Sequence, residues 1–144
     1  MSKAGSGLFP RRESRDELIQ QLKDQGAKFN EKEIVFITRD QSGQIVWLEK
    51  GSPSAGLEHI LNGNGKKPGH AADFKNAFGL DKDQVAGHLE NVMSYGLVVS
   101  NKLKTINGRQ GYERIYYYGG KHYVLAGIGT NGFVVSAYPI DLEE

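Results

Sequence analysis

Apolar positions in the first third of the chain follow first a helical and then an extended spacing. Ser14 and Glu17 form the two ends of a capping box, and three apolar residues follow at helical spacing, which predicts a helix that ends at Gly26. Two runs rich in β-branched and aromatic residues come next, separated by a short stretch typical of turns. They predict a β-hairpin with strands at residues 33–38 and 44–49.

The spacing of apolar residues becomes helical again between residues 54 and 96, and three apolar groups predict three short helices. The last helix has the clearest limits, because Asp81 and Gln84 form a second capping box and Gly96 suits the left-handed position after a helix end. Residues 62–69, between the first two helices, are rich in glycine and lysine and predict a flexible loop.

From Leu97 onward the sequence is typical of strands, and we predict them at residues 97–106, 112–118, 121–128 and 133–138. Gly119 and Gly120 suit a two-residue turn, and residues 129–132 suit another short reversal, so consecutive strands pair antiparallel. The sequence therefore predicts an α+β fold, in which a helical N-terminal half with a β-hairpin is followed by a four-stranded antiparallel β-meander.

Length and composition are typical of one folded domain, with 144 residues of which 38% are hydrophobic. We assign residues 14–144 to that domain and residues 1–13 to a linker or flexible N-terminal segment. No apolar run approaches the roughly 20 residues of a membrane-spanning helix. The chain has no cysteine, which excludes disulfides and thiolate-bound zinc. The net charge is only +1, but basic residues dominate residues 101–123 and predict a local basic surface.

Two histidines flank the glycine-rich loop and are candidates for acid–base chemistry, since imidazole titrates near neutrality. His59 lies opposite the apolar face of its predicted helix, so its ring faces a cleft or, as an ordinary exposed histidine, the solvent. His70 falls in the first turn of the next helix. There its ring either binds a phosphate beside free backbone amides or is only a neighbour of the cap.

Motifs for metals and nucleotide cofactors are missing from the sequence. It has no histidine pair at metalloprotease spacing, no calcium loop, and no glycine-rich loop ending in the lysine and hydroxyl residue that bind phosphate. We therefore predict that the protein needs no metal and no cofactor. Of the remaining histidines, we expect His88 to pack beside an apolar stripe and His122 to lie at a strand end.

Aromatic and basic residues are interleaved in the second half of the chain. They indicate either stacking on unpaired bases with phosphate contacts, or ordinary packing within the strands. Ser136 and Tyr138 alternate onto one face of the last strand, where their hydroxyls can hold a phosphate. Our candidate substrate-binding residues are Arg109, Arg114, Tyr116, Lys121 and Thr130.

Four segments together resemble one ribonuclease superfamily. They lie at residues 47–51, 56–60, 69–74 and 131–139 and read WLEKG, GLEHI, GHAADF and NGFVVSAYP. This combination is similar to the barnase, EndoU, colicin and RelE-like ribonucleases, above all to the C-terminal toxin domains of bacterial polymorphic and contact-dependent inhibition toxins and to related domains of phage head proteins. The resemblance spans about residues 34–139.

The resemblance implies an α+β domain that cuts RNA without a metal, using histidines, a lysine or arginine, and a hydroxyl residue of the last strands. Those roles fall here to His59, His70, Lys102 or Lys104, Ser136 and Tyr138. One imidazole would take the proton of the ribose 2'-hydroxyl, whose oxygen attacks the adjacent phosphate. A second group would protonate the leaving 5'-oxygen, and a cyclic phosphate would result. The sequence departs from the family pattern in the long loop between the histidines, which puts the role of His70 in question.

By the same resemblance, we expect structured RNA as the substrate, with transfer RNA first, a cognate immunity protein as a partner, and an activating factor of the host cell as a further one. The domain would be exported within a larger toxin and act in the cytoplasm of the target cell. The competing hypothesis is a module that binds RNA or builds a phage structure without catalysis, because a fold does not by itself carry an activity.

Overall fold

The computed structural model describes residues 13–106, 108–119 and 122–141. These residues include four α-helices and a short 3-10 helix at Glu31–Glu33. The α-helices are α1 (Arg15–Asp24), α2 (Leu57–Asn62), α3 (Ala71–Phe78) and α4 (Lys82–Tyr95). The strands are β1 (Ile34–Arg39), β2 (Ile45–Glu49), β3 (Leu97–Ile106), β4 (Arg109–Tyr117), β5 (Tyr123–Gly129) and β6 (Val134–Ile140). The predicted α+β class, with helices in the N-terminal half, is confirmed.

Both predicted capping boxes are present. At the start of α1, the Glu17 amide donates to Ser14 Oγ at 3.1 Å and the Ser14 amide donates to Glu17 Oε1 at 2.9 Å. Asp81 and Gln84 are linked in the same way before α4. The side chains therefore satisfy amides that a helix start leaves without intrahelical partners.

The prediction of a left-handed Gly96 is wrong. Its φ and ψ are −70° and 147°, which is extended backbone. A Cβ built on Gly96 would lie 2.4 Å from the Val92 carbonyl oxygen and 3.2 Å from that of Tyr117. Close packing between the end of α4 and β4 therefore requires glycine here, and the chain passes directly into β3 at Leu97.

The strands form two antiparallel sheets, as predicted. β1 and β2 are a hairpin, and the other four strands form a meander in the order β3-β4-β5-β6. The Trp47 amide donates to the Gly132 carbonyl at 3.1 Å, which joins the hairpin to the turn before β6. β3 is an edge strand of the meander.

One face of the meander is buried against the hairpin and helices α2 to α4, and its core includes Phe74, Leu89 and Tyr116. A second apolar cluster packs α1 against the hairpin around Leu22 and Trp47. We call the other side of the meander the open face. None of the helices in the described part of the chain is long and apolar enough to cross a membrane.

A buried polar network ties the hairpin to the meander. The Asp40 carboxylate, which lies in the hairpin turn, accepts from Arg114 Nη1 at 2.8 Å and from the Tyr116 hydroxyl at 2.6 Å. Arg114 also donates to Gln44 and Asn101, each at 2.9 Å. Burial, together with the Asp40 carboxylate, raises the pKa of Tyr116, because both disfavour a phenolate.

Our expectation that Arg114 and Tyr116 bind substrate does not survive this arrangement. The Arg114 side chain is 2% exposed and Tyr116 is 0% exposed. Both point to the buried face, where an ion pair and hydrogen bonds already occupy their polar atoms. We therefore exclude both from the candidate site.

Candidate active site

A cleft of about 1060 Å³ lies over the open face of the meander. Strands β4, β5 and β6 form its floor, and α2 and the segment before the 3-10 helix contribute walls. Five of the residues predicted from the sequence line it: His59, Arg109, Thr130, Ser136 and Tyr138. The fold thus brings together side chains that are up to 79 positions apart in the chain (138 − 59).

Strand register explains how the floor is arranged. Lys102, Glu113, Gly127 and Ser136 lie opposite one another on successive strands and form a row on the open face. Gly127 is the member of this row without a side chain, and a Cβ built on it would meet nothing within 4 Å. The floor of the cleft is therefore open between Glu113 and Ser136.

His59 is held by the backbone of the loop before α2. Its Nδ1 lies 2.7 Å from the Pro53 carbonyl oxygen. A carbonyl can only accept, so Nδ1 carries the hydrogen in this bond, and a neutral ring then has its lone pair on Nε2. The Gly56 amide donates to the Val135 carbonyl at 2.9 Å and fixes the start of α2 beside β6. His59 is thereby half-buried in the cleft with a nitrogen able to take a proton.

His70 is the residue before α3, one position earlier than the helical turn we predicted. Its amide donates to the Ile60 carbonyl at 2.6 Å, which sets the start of α3 against α2. Its ring stacks on Tyr138 with centroids 4.5 Å apart and an angle of 18° between the planes. Its Nδ1 lies 2.7 Å from Asp73 Oδ2. His70 does not line the cleft itself, but it contacts a residue that does.

The loop between the two histidines is a tight turn. The Asn64 side-chain oxygen accepts from the amides of Lys66 at 3.0 Å and Lys67 at 2.8 Å, and the Asn64 amide donates to the Lys67 carbonyl at 3.1 Å. This turn closes the loop and brings the end of α2 next to the start of α3. Its length therefore does not separate His70 from the rest of the site.

Ser136 and Tyr138 project from β6 on the open face, as the alternation of the last strand predicts. Ser136 lies opposite Gly127 and Tyr138 lies opposite Leu125. Both residues are half-buried and line the cleft. Both residues therefore line the same cleft as His59.

The two candidate lysines lie on the outer strand of the meander. Lys102 and Lys104 are exposed on β3, and neither lines the cleft. Three strand spacings separate β3 from β6, which is about 14 Å between backbones. Lys104 forms an ion pair of 3.3 Å with Glu113, which does line the cleft. The lysines share the open face with Ser136 but belong to its margin.

Glu113 is a cleft residue that our reading of the sequence passed over. Glu113 is the only acidic residue between residues 101 and 123, so its charge was a signal in the sequence. The basic residues of this segment predicted a basic surface and gave no role to the single acid. Arg109 and Thr130 are exposed and line the cleft, and their contact with a substrate stays a prediction. Lys121, like residues 1–12 of the predicted linker, lies outside the described residues.

The two other histidines, His88 and His122, contact residues outside the cleft. The His88 ring lies 4.6 Å from that of Phe78, and its buried Nε2 has no hydrogen-bond partner in the described part of the chain. Burial lowers the pKa of His88, because the charged ring would lose its hydration. His122 precedes β5 and pairs with Asp141 at 2.5 Å. Within the described ranges, no three His, Asp or Glu side chains are grouped to hold a metal ion.

No known protein family matches this sequence, and no curated protein matches it either.

Proposed function

We propose that this protein is a metal-independent endoribonuclease whose active site is the cleft on the open face. The observation that carries the proposal is the convergence of His59, Ser136 and Tyr138 on one cleft from α2 and β6. Arg109, at the start of β4, adds an exposed cation to the lining of the cleft. A base, hydroxyl donors and a cation are the groups that cleavage of an RNA phosphodiester by its own 2'-hydroxyl requires.

In this mechanism His59 Nε2 takes the proton of the ribose 2'-hydroxyl. The 2'-oxygen forms a bond to the adjacent phosphorus, and the bond from phosphorus to the 5'-oxygen breaks. The leaving 5'-oxygen takes a proton from a general acid, and our candidate for this acid is His70, which stacks on Tyr138. The products are a 2',3'-cyclic phosphate and a free 5'-hydroxyl. DNA lacks the 2'-hydroxyl and is not cleaved.

Charge and orientation are supplied by the other residues of the cleft. Arg109 stabilises the negative charge that develops on the phosphate oxygens, and Lys102 or Lys104 does so from the margin. Ser136 and Tyr138 hold the phosphate so that the attacking and leaving oxygens are in line. Each contribution is one of positioning or electrostatics, so each variant is expected to lower the rate without changing the products.

The test uses purified protein, total bacterial RNA and EDTA, with products separated on a denaturing gel. Wild type is expected to give discrete fragments whose 3' ends resist phosphatase until acid opens the cyclic phosphate. His59→Ala is expected to lose at least 100-fold in rate, within the range of general acid–base catalysis. His122→Ala is the matched control, since His122 lies outside the cleft. RNA left intact by wild type, also after cell extract is added, would overturn the proposal.

The resemblance extends this proposal to a biological setting. We propose structured RNA, transfer RNA first, as the substrate, and a toxin domain exported within a larger protein and acting in the cytoplasm of a target cell. An immunity protein would present acidic groups to the basic strand surface around Lys102 and Lys104. An activating factor from the host cell is a further proposed partner, which the extract in the assay supplies.

A second candidate function is RNA binding without cleavage. It is favoured by one observation, that neither Lys102 nor Lys104 lines the cleft that holds His59. In that case the open face binds RNA, and His59→Ala leaves binding unchanged. Filter binding and the cleavage assay together separate the two functions: equal RNA binding by wild type and His59→Ala, with no cleavage by either protein, would favour binding alone.

A further inference from the structure

We infer that Asp73 is a positioning residue of the site, which holds His70 in the tautomer whose Nε2 is free to exchange a proton beside Tyr138. The inference rests on the proposed function, and it adds a residue and a role that the mechanism above does not contain. It starts from one short contact, the 2.7 Å between Asp73 Oδ2 and His70 Nδ1.

The chemistry of this contact fixes which nitrogen carries hydrogen. An ionised carboxylate is only an acceptor, so the hydrogen of the bond belongs to His70 Nδ1. When the ring is neutral, its lone pair is then on Nε2, and when the ring is charged, Nε2 carries the proton that it can release. Many enzymes combine a reacting group, a histidine that exchanges its proton, and a carboxylate that orients the histidine. Asp73 corresponds to that carboxylate.

The Tyr138 ring fixes the plane of the imidazole in the same way that Asp73 fixes its rotation. The two rings are stacked at 4.5 Å with only 18° between their planes. One flat face and one edge of the imidazole are thus occupied, which leaves the Nε2 edge as the edge that substrate can reach. No described side chain hydrogen-bonds to that nitrogen. The His70 side chain as a whole is 30% exposed.

His59 has the same tautomer through a different acceptor, the Pro53 carbonyl. The structure therefore presents two imidazoles that both hold Nδ1 by an oxygen and both offer Nε2. This agreement is what a base and an acid of one reaction need, because each must exchange its proton at a defined atom. Asp73 is 55% exposed in the first turn of α3, where its charge also favours the helix start, so the control variant below carries the same change in another first turn.

The first test is kinetic and uses Asp73→Asn. An amide can either accept from Nδ1 or donate to it, so the variant no longer selects one tautomer. We expect kcat to fall about 10-fold to 100-fold with KM unchanged. This is at or below the lower limit for loss of an acid or base itself, because Asp73 only orients the ring that transfers the proton. Asp73→Glu keeps a carboxylate within reach and is expected to recover most of kcat. Asp83→Asn is the matched control, an acid in the first turn of α4 that is also exposed.

The second test needs no activity. Nitrogen-15 spectra distinguish imidazole nitrogens with and without hydrogen, and at mildly alkaline pH the His70 ring of wild type is expected to show hydrogen on Nδ1 alone. Asp73→Asn is expected to show a mixture of both tautomers. An unchanged spectrum together with unchanged kcat would overturn the inference. Inactive wild type with the expected spectra would overturn the ribonuclease proposal but keep the Asp73–His70 pair, so the two failures are distinguishable.

Discussion

Replacing Gly127 by valine should separate the use of the cleft from the stability of the fold. Gly127 lies on β5 in the row between Glu113 and Ser136, on the open face. A Cβ built there meets no atom within 4 Å, so there is room for the start of a valine side chain, which enters the cleft between Glu113 and Ser136. Its backbone does not lie in the left-handed region, so the substitution introduces no backbone strain.

The expected changes in stability and in activity have opposite signs. Glycine inside a strand costs roughly 0.5–1 kcal/mol, because the unfolded chain has more conformational freedom at glycine, and valine favours strands. The free energy of unfolding of the variant should therefore be about 0.5–1 kcal/mol higher than that of wild type. The three added carbon atoms stand where substrate would lie on the floor. A displacement of about 1 Å at a reacting centre costs on the order of 100-fold in rate, and we expect at least that loss in kcat/KM.

The assay pairs urea denaturation with initial rates of RNA cleavage. Gly87→Ala is the matched control, because a Cβ on Gly87 in α4 also meets nothing within 4 Å and alanine stabilises a helix by about 1 kcal/mol. It should become more stable and keep full activity. Gly127→Ala should fall between wild type and valine in rate. If Gly127→Val cleaves RNA within threefold of wild type, the cleft is not where the RNA lies and the reasoning fails.

Three further predictions concern stability, each measured by urea denaturation. Arg114→Met leaves the Asp40 carboxylate buried without its ion-pair partner and should cost about 3–5 kcal/mol, and a loss below about 1 kcal/mol would contradict the role of the network. Because burial lowers the pKa of His88, the unfolded state binds more protons as pH falls below about 6.5, so stability decreases there. His88→Leu should lose less stability than wild type between about pH 7 and pH 5, because it lacks this histidine. An equal loss in both proteins would refute the contribution of His88. Ser14→Ala should cost about 1 kcal/mol through loss of the α1 cap, with Ser54→Ala as a control outside any helix start.

Local signals in the sequence were sufficient for most of the elements. The two capping boxes mark the starts of α1 and α4, and the glycine-containing residues 129–132 mark the reversal between β5 and β6. These signals are local because they arise from hydrogen bonds and torsions within a few residues. The β6 alternation likewise placed Ser136 and Tyr138 on one face before the sheet was known.

The faces of β4 are where sequence reasoning was insufficient. Both faces of this strand carry charged and aromatic residues, with Glu113 and Tyr117 on one and Arg114 and Tyr116 on the other. Their composition does not indicate which face is buried. That choice is made by Asp40, which lies 74 positions away from Arg114 and supplies the buried negative charge. Contacts over such a distance have no local signature.

Lys102 and Lys104 lie on the edge strand β3, where they have a second effect besides their proposed role in RNA cleavage. An unpaired strand edge is a template on which another strand can add, and lysine is a residue that proteins place there to prevent it. β3 is ten residues long, and Leu97 and Leu103 are 61% and 56% exposed on it. A Lys102→Met or Lys104→Met protein would therefore lose a repulsive charge from this edge and tend to associate. A drop in its rate reflects lost catalysis only when light scattering shows that the variant has kept the mass of wild type.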